Sequence, residues 1–426
     1  MEIMEDKPQK FDVIISGGGL SGSLMALSLS KLTKLDGSQL SIAIIEALPF
    51  QQSKPVDDTQ LFDARVLALS HGSASYLTKV GAWQHLKNDA CAITDIDISD
   101  RGHFAKARLT ASEHNVNALG YVIDMALIGK AQLKALKETR SNIHWYSPDS
   151  IEDIVWKSDD LATTQPEVDL NLEQVTLTLK SGKSLSTSLL LACDGVQSPV
   201  RKLASIPVTS KDYEQVALIA NVSTAKAHQN KAFERFTEHG PIAMLPLQSL
   251  NSTESRCSLV WTMTPSQAEQ IKQLNDDEFK LELEAAFGSF LGEITHVGKR
   301  DVYPLVLLQA ERQIYHRMAL IGNASHTIHP IAGQGFNLGL RDVVVMTNLV
   351  SQALSEGQDI GSFSLLHSYQ VNRVKDQQEV IHLTDSLVTL FANDLPPLVI
   401  GRNIGLQALD ALSPLKNALV KKTMGY

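Results

Sequence analysis

The alternation of apolar and polar positions divides the 426-residue chain into short strand-like runs and longer helical ones. FDVIISGGG is a β-branched run ending in glycines, and LSGSLMALSLSKL after it has helical spacing. A polar loop (Lys34 to Gln39) then leads to a second strand, SIAIIEA. Strand, helix and strand in this order form the opening unit of a doubly wound parallel sheet. Residues 61–90 read as a loop followed by an amphipathic helix around Ala74 to Trp83. Two strands, ITDIDISD and KARLTAS, precede a helix from Met125 to Lys137. IEDIVWK, QVTLTLK and LSTSLLLACDG follow as strands, with Ser181–Gly182 as the hairpin turn between the last two.

From 213 to 305 the period is again two, in VALIANVS, AFERFTEH, IAMLPL and RCSLVWTM, with one helix, DDEFKLELEAAFGSFL, interrupting them. RMALIGNASHTIHPIAGQGFNLGLRDVVVMTNLVSQAL then reads strand, glycine-rich loop and long helix. Beyond Gly361 the pattern is helical almost to the end, broken at Pro396–Pro397 and Pro414. Rossmann-like pieces thus flank a β-rich middle. The expected fold is α/β: a discontinuous Rossmann-like domain, an inserted β-sheet substrate domain and a C-terminal helical region. The boundaries are drawn at 1–95, 120–205 and 300–360 for the nucleotide domain, 96–119 and 206–299 for the inserted one, and 361–426 for the helices.

Gly17, Gly19 and Gly22 give G-x-G-x-x-G between the first strand and helix. The first glycine makes the tight turn, the second admits a pyrophosphate and the third allows close helix packing. Unpaired N–H groups and the dipole at the helix start favour a negative ligand. Glu46, ending the second strand, is placed to accept from a ribose 2′-hydroxyl and disfavours a 2′-phosphate. The loop alone leaves NAD and FAD open.

Composition narrows the alternatives. A net charge of -9 argues against a nucleic-acid binder. Three scattered cysteines (Cys91, Cys193, Cys257) imply neither a disulfide frame nor a zinc cluster and fit a reducing, cytoplasmic compartment. The start, MEIMEDKPQK, lacks the apolar core of a signal peptide, and no run approaches the roughly 20 apolar residues of a spanning helix. His326 and His329 are three apart, but without a third ligand they do not suggest a metal.

Three distant segments carry a family resemblance. LLLACDGVQSPVRKLA (189–204) resembles the Asp-Gly motif of class A FAD-dependent aromatic monooxygenases. LIGNASHTIHPIAGQGFNLGLRDV (320–343) resembles their second flavin motif, and FDARVLALS (62–70) their arginine-bearing loop. More narrowly, DARVLALS, SDRGH, AFERFTEHGPIAMLP and TDSLVTLF…GRNIGL make the chain similar to ubiquinone-biosynthesis hydroxylases of the 2-octaprenyl-6-methoxyphenol type.

The resemblance implies FAD as cofactor, NAD(P)H as electron donor, and hydroxylation of a polyprenylated phenol by O₂ through a flavin C4a-hydroperoxide. It implies flavin contacts from Arg65, Asp194, Gly195, Gly322, Asn323, Pro330, Gly333, Gln334, Gly335, Phe336 and Asn337. The family's usual aspartate after Gly322 is Asn323 here, and an uncharged acceptor holds ribityl hydroxyls more weakly. Asp63, His71, Tyr213, Arg235 and His239 are the polar candidates for the phenol pocket, with Met244 and Pro246 from GPIAMLPL paving it.

No acid–base pair stands out among these residues. A soluble aromatic acid is a rival substrate, with Arg235 or Arg256 as its carboxylate anchor. An FAD-dependent dehydrogenase or reductase, and a non-catalytic FAD binder, are further rivals. The resemblance also implies a complex of ubiquinone-biosynthesis proteins, and peripheral contact with the inner membrane through LVTLFANDLPPLVIGRNIGLQALDAL. It leaves the ring position, the ring-hydroxylating paralogue and self-association open.

Overall fold

The computed structural model describes residues 7–49, 65–101, 106–139, 142–156, 174–238, 240–249, 255–327 and 334–391. The chain opens with β1 (Gln9–Ser16), α1 (Leu20–Leu29) and β2 (Ser41–Ile45). It continues through β3 (Val66–Ser70), α2 (His71–Lys79), β4 (Cys91–Ile93), β5 (Asp95–Asp100) and β6 (Lys106–Thr110). β7 (Gly120–Asp124), α3 (Met125–Glu138), β8 (Asn142–Tyr146), β9 (Ile151–Trp156), β10 (Val175–Leu179) and β11 (Ser184–Ala192) come next. After α4 (Pro199–Leu203) the strands lengthen: β12 (Val208–Thr224), β13 (Lys231–Thr237), β14 (Gly240–Leu247) and β15 (Ser255–Met263). Then come α5 (Pro265–Gln273), α6 (Asp276–Phe287), β16 (Ile294–Val297), β17 (Asp301–Ala310), β18 (Ile314–Tyr315), β19 (Met318–Leu320) and β20 (His326–Thr327). α7 (Gln334–Ser355) and α8 (Phe363–Phe391) close the described chain.

The first sheet has the path β18-β19-β11-β1-β2-β8, with β10 and β9 branching from β11. β19, β11, β1, β2 and β8 run parallel, as a doubly wound unit requires. Val13, Ile15, Ile42 and Ile44 face one side with α1, α3 and α7, and Ile14, Ala43, Leu190 and Leu320 face the other. α1 is buried on every side from Gly22 to Leu29, since β1, α3 and α7 all pack on it. Its serines stay satisfied by bonding back along the chain: Ser23 Oγ donates to Gly18 O at 2.6 Å and Ser28 Oγ to Leu24 O at 2.7 Å.

The second sheet is nine-stranded, ordered β20-β17-β12-β15-β14-β13-β5-β6, with β16 beside β12. One face packs on α5 and α6 through Met244, Leu259, Trp261, Phe279 and Phe287. A third sheet, β3-β7-β4, bridges the two.

Four details depart from the sequence expectations. Val66–Ser70 is a strand, where a loop was expected, because β7 pairs along its whole length. α2 spans His71–Lys79, ending short of Trp83, since Gly81 turns the chain at φ +83°. The single helix expected after β15 is two, each opened by its own capping box, Thr264 with Gln267 and Asn275 with Glu278. β17, within the 300–360 stretch assigned to the nucleotide domain, pairs with β12 in the second sheet. Pro396, Pro397, Pro414 and the rest of the chain from 392 onward, which holds most of the expected docking stretch, lie outside the described residues.

Candidate active site

The first glycine loop leaves β1 beside the end of β11. Gly17 has φ +94°, and a Cβ there would lie 2.6 Å from the Cys193 carbonyl oxygen. At Gly22 a Cβ would lie 1.8 Å from Gly17 O, so this residue holds α1 against the turn. Gly19 is different: nothing lies within 4 Å of its missing Cβ. It caps α1 without a side-chain hydrogen bond, and no acidic residue occupies the first turn. The free N–H groups therefore open onto space of the kind a pyrophosphate fills. Glu46 Oε2 accepts from Gly18 N–H at 2.6 Å and Oε1 from Leu48 N–H at 2.9 Å. The carboxylate thus braces the loop and keeps lone pairs for a ribose hydroxyl.

Asp194 follows β11. Its Oδ2 accepts from Ser16 Oγ at 3.3 Å and Val200 N–H at 3.2 Å, while Oδ1 is buried with no partner among the described residues. Burial pushes this carboxyl above the usual range, against hydrogen bonds from Ser198, Val200 and Ser16 that favour the anion. Gly195, at φ +79°, faces open space. Arg201 fastens this turn to the next one by donating to Val196 O and to Ala324 O, each at 2.7 Å.

The 3-10 turn Gly322–Ala324 meets α1 and α7 closely: a Cβ on Gly322 would lie 2.8 Å from Ser21 Oγ, and one on Gly339 3.1 Å from Gly322 Cα. Below it lies a buried polar network that the sequence reading missed. Asp342 Oδ2 accepts from Gly322 N–H at 2.7 Å and pairs with His326 Nε2 at 3.0 Å. Its Oδ1 accepts from Arg373 Nε at 2.6 Å, and Arg373 also reaches Asp376 at 2.6 Å. Burial opposes the Asp342 charge, but Arg373 and His326 outweigh it and hold the carboxyl below its usual range. His326 is thus committed to a carboxylate through Nε2.

These turns wall one side of a cavity of about 510 Å³. Gly19, Gly195, Asn323, Gly335 and Phe336 line it, and Arg65 stands at its edge, exposed. Free donors at Gly19, an orphaned acceptor at Asp194 and open space at Gly19, Gly195 and Gly335 fit a flavin dinucleotide. Asn337 has another task. Its Oδ1 accepts from Ser70 N–H and Ser73 Oγ at 2.9 and 2.8 Å, and its Nδ2 donates to Ala68 O at 2.8 Å. It staples α7 to β3, whose Ala68 lines the cavity. Pro330 and Gly333 lie outside the described residues, and of Gln334 only the backbone, opening α7, is described.

The opposite wall is the second sheet, and here strand parity corrects the expected pocket. Ala243 and Leu245 of β14 face the cavity. Met244 is fully buried on the α6 side, and Pro246 shares its parity, opposite Cys257. Arg235 turns away as well, its guanidinium 5.3 Å from the Phe290 ring, and the carboxylate beside it, Glu234, lines the cavity. Registers place Ile98, Glu234, Ala243, Val260 and Ile219 in one row across five strands. His71 instead bonds Ala118 O through Nδ1 at 2.9 Å, and Tyr213 lies under Lys211 at the irregular part of β12; neither lines the cavity. Arg256 is buried and donates to Gln248 O at 3.2 Å. Asp63 and His239 lie outside the described residues.

Glu234 was legible: alternation puts it on one face with Ala232 and Phe236, both buried apolar residues. Asp342 gave a weaker signal, as an acid in the apolar run LGLRDVVVM.

Comparison with known proteins adds names to this geometry. The family profile described as FAD binding domain matches residues 126–384. The chain is 31% identical to ubiquinone hydroxylase UbiL of Rhodospirillum rubrum, over 97% of this chain and 89% of that protein. It is also 31% identical to the mitochondrial ubiquinone biosynthesis monooxygenase COQ6 of Danio rerio, over 96% and 89%. Among solved structures, p-nitrophenol 4-monooxygenase PnpA from Pseudomonas putida superposes with TM-score 0.73 at 17% identity, over 98% and 99% of the two chains. PqsL of P. aeruginosa superposes with TM-score 0.71 at 18% identity, over 94% and 100%. At such identities these two establish the shared fold.

Proposed function

From a chain that belongs to the FAD-dependent ubiquinone-biosynthesis hydroxylases, we propose an enzyme that hydroxylates a neutral polyprenylated phenol of the 2-octaprenyl-6-methoxyphenol type. The enzyme is an FAD-dependent monooxygenase, and reduced by NAD(P)H the bound flavin supplies activated oxygen for the ring. The residues of the chain bind, orient and shield. Gly19 and the start of α1 hold the pyrophosphate, Asp194 and Asn323 take flavin hydroxyls, and the opening of α7 faces the ring. Val260, Ile219, Ala243 and Leu245 form a dry wall that excludes water and sets the phenol flat against the cofactor.

One observation carries the choice of a neutral phenol: the wall facing the flavin site is Ile219, Pro241, Ala243, Leu245 and Val260 with the hydroxyls of Ser258 and Thr262, and its single charge among the described lining residues is the carboxylate of Glu234. An aromatic acid needs a cation there. Arg235 and Arg256 point elsewhere, and among the described lining residues the only cation is Arg65, at the mouth. At about 510 Å³ the cavity is of ordinary small-ligand size, roughly 300–1,000 Å³, so a polyprenyl tail has to run out of it. Such a tail requires access to the bilayer, although no helix among the described residues is long and apolar enough to cross one. Peripheral contact on the cytoplasmic side of the inner membrane, and assembly with other enzymes of the route, belong to this proposal.

The test is direct. FAD-loaded enzyme with NADH or NADPH is expected to hydroxylate a short-tailed 2-methoxy-6-prenylphenol with coupled reductant oxidation. Benzoates are expected not to stimulate that oxidation. Stimulation by a benzoate, with none by the phenol, would overturn the assignment.

A further inference from the structure

We infer that Glu234 is the catalytic base of this site, taking the phenolic proton of the substrate as the ring is presented to the flavin; the inference rests on the proposed phenol hydroxylation. The placement carries it. Glu234 sits mid-strand on β13, between Ile98 of β5 and Ala243 of β14, with its side chain on the cavity face. Its row neighbours, Ile98, Ala243, Val260 and Ile219, offer no hydrogen bond, and Ala243 is small enough to leave room beside the carboxylate. No salt bridge or hydrogen bond engages Glu234 among the described residues. A charged group set without a partner in this apolar row costs stability, so a wall built only for packing would not keep it.

The other ionisable groups nearby are accounted for. Arg65 lines the same cavity but is exposed, and Cys193 directly follows β11. Arg235 projects from the far face of β13, toward Phe290. Asp100, two residues beyond Ile98 on β5, is buried and already engaged. β14 carries no ionisable side chain.

In the step, the phenol O–H bond breaks and its proton passes to a Glu234 carboxylate oxygen. A phenolate and a neutral carboxylic acid result, and no electrons change hands. The phenolate oxygen then pushes electron density into the ring carbon that receives oxygen. Burial pushes the Glu234 carboxyl up to about 7. Against a phenol of about 10, the uphill transfer shrinks from roughly six units for an ordinary glutamate to about three. General bases matched in this way contribute about 10²–10⁴ in rate.

The experiment uses the FAD-loaded full chain, 2-methoxy-6-prenylphenol and NAD(P)H, across pH 5.5 to 9. Wild type is expected to lose hydroxylation as pH falls below about 7. Glu234→Gln, which keeps shape and hydrogen-bonding capacity, is expected to lower hydroxylation about 100-fold or more and to abolish the limb near 7. FAD content and phenol affinity should stay within about threefold. Glu234→Asp should restore the pH limb at reduced rate, which a packing role would not. The inference is overturned if Glu234→Gln keeps the wild-type limb and rate, or if Gln and Asp variants are equally slow with one pH profile. A wild-type enzyme that binds FAD yet hydroxylates no phenol overturns the proposed function and this inference with it.

Discussion

The second and third glycines of one motif have opposite consequences when a methyl group is added. At Gly22 the new Cβ would lie 1.8 Å from Gly17 O, a backbone atom that cannot move without opening the turn. At Gly19 it would meet nothing, and φ -66° is ordinary for alanine. Gly22→Ala should therefore lower the melting temperature of the FAD-free protein, by an overpacking cost of about 1–3 kcal/mol or more. Gly19→Ala should leave that melting temperature unchanged and weaken FAD binding at least tenfold. Thermal denaturation with a flavin titration separates the two. A Gly19→Ala protein that binds FAD as tightly as wild type would remove the loop from the pyrophosphate site. The motif already assigned pyrophosphate approach to Gly19 and close packing to Gly22; what it did not show is which backbone atom the fold brings against Gly22, the carbonyl oxygen of Gly17.

At the scale of elements, α7 and α8 are joined by charge as much as by apolar contact. Asp342, Arg373 and His326 are all within 2% of full burial and bind one another. Removing one member strands the others, at a cost of about 3–5 kcal/mol. Asp342→Asn should lower the melting temperature markedly and reduce FAD affinity, since the same carboxylate holds Gly322 N–H in the turn that bears Asn323. Replacing Asp342 and Arg373 together by Leu and Met should recover much of the stability without restoring the turn. Because the Asp342 carboxyl is held below its ordinary value, its contribution is complete above about pH 4 and vanishes only as pH falls through the lowered value. The strands and helices that the network fastens were mostly readable from their period. The network was not, since its bonded pairs lie 16 and 31 residues apart and only tertiary packing brings them together. β3 and α5 escaped for other reasons: β3 is only five residues long, and α5 is polar enough to pass for a loop until its Thr264–Gln267 box is noticed.

For the molecule as a whole, neither layer makes a site alone. The turns of the first sheet and the wall of the second line one cavity together. FAD at 100 times its dissociation constant should add about 2.7 kcal/mol to the stability of whatever unfolds with the site. A variant keeping Trp261 as its sole tryptophan reports on the core of the second sheet. Its thermal transition should rise with FAD concentration in step with the far-ultraviolet signal, and an FAD-insensitive Trp261 transition would mean that the sheets melt independently. Strand parity on β14 bears on how such an enzyme changes over generations. Positions 243 and 245 shape the space that the substrate sees, while 242 and 244 hold α6 in place. Mutations at the odd positions can enlarge or narrow the ring pocket without loosening the scaffold, so new ring substituents become reachable by single steps. The even positions are closed to that drift, because every change there is first a test of whether the protein still folds.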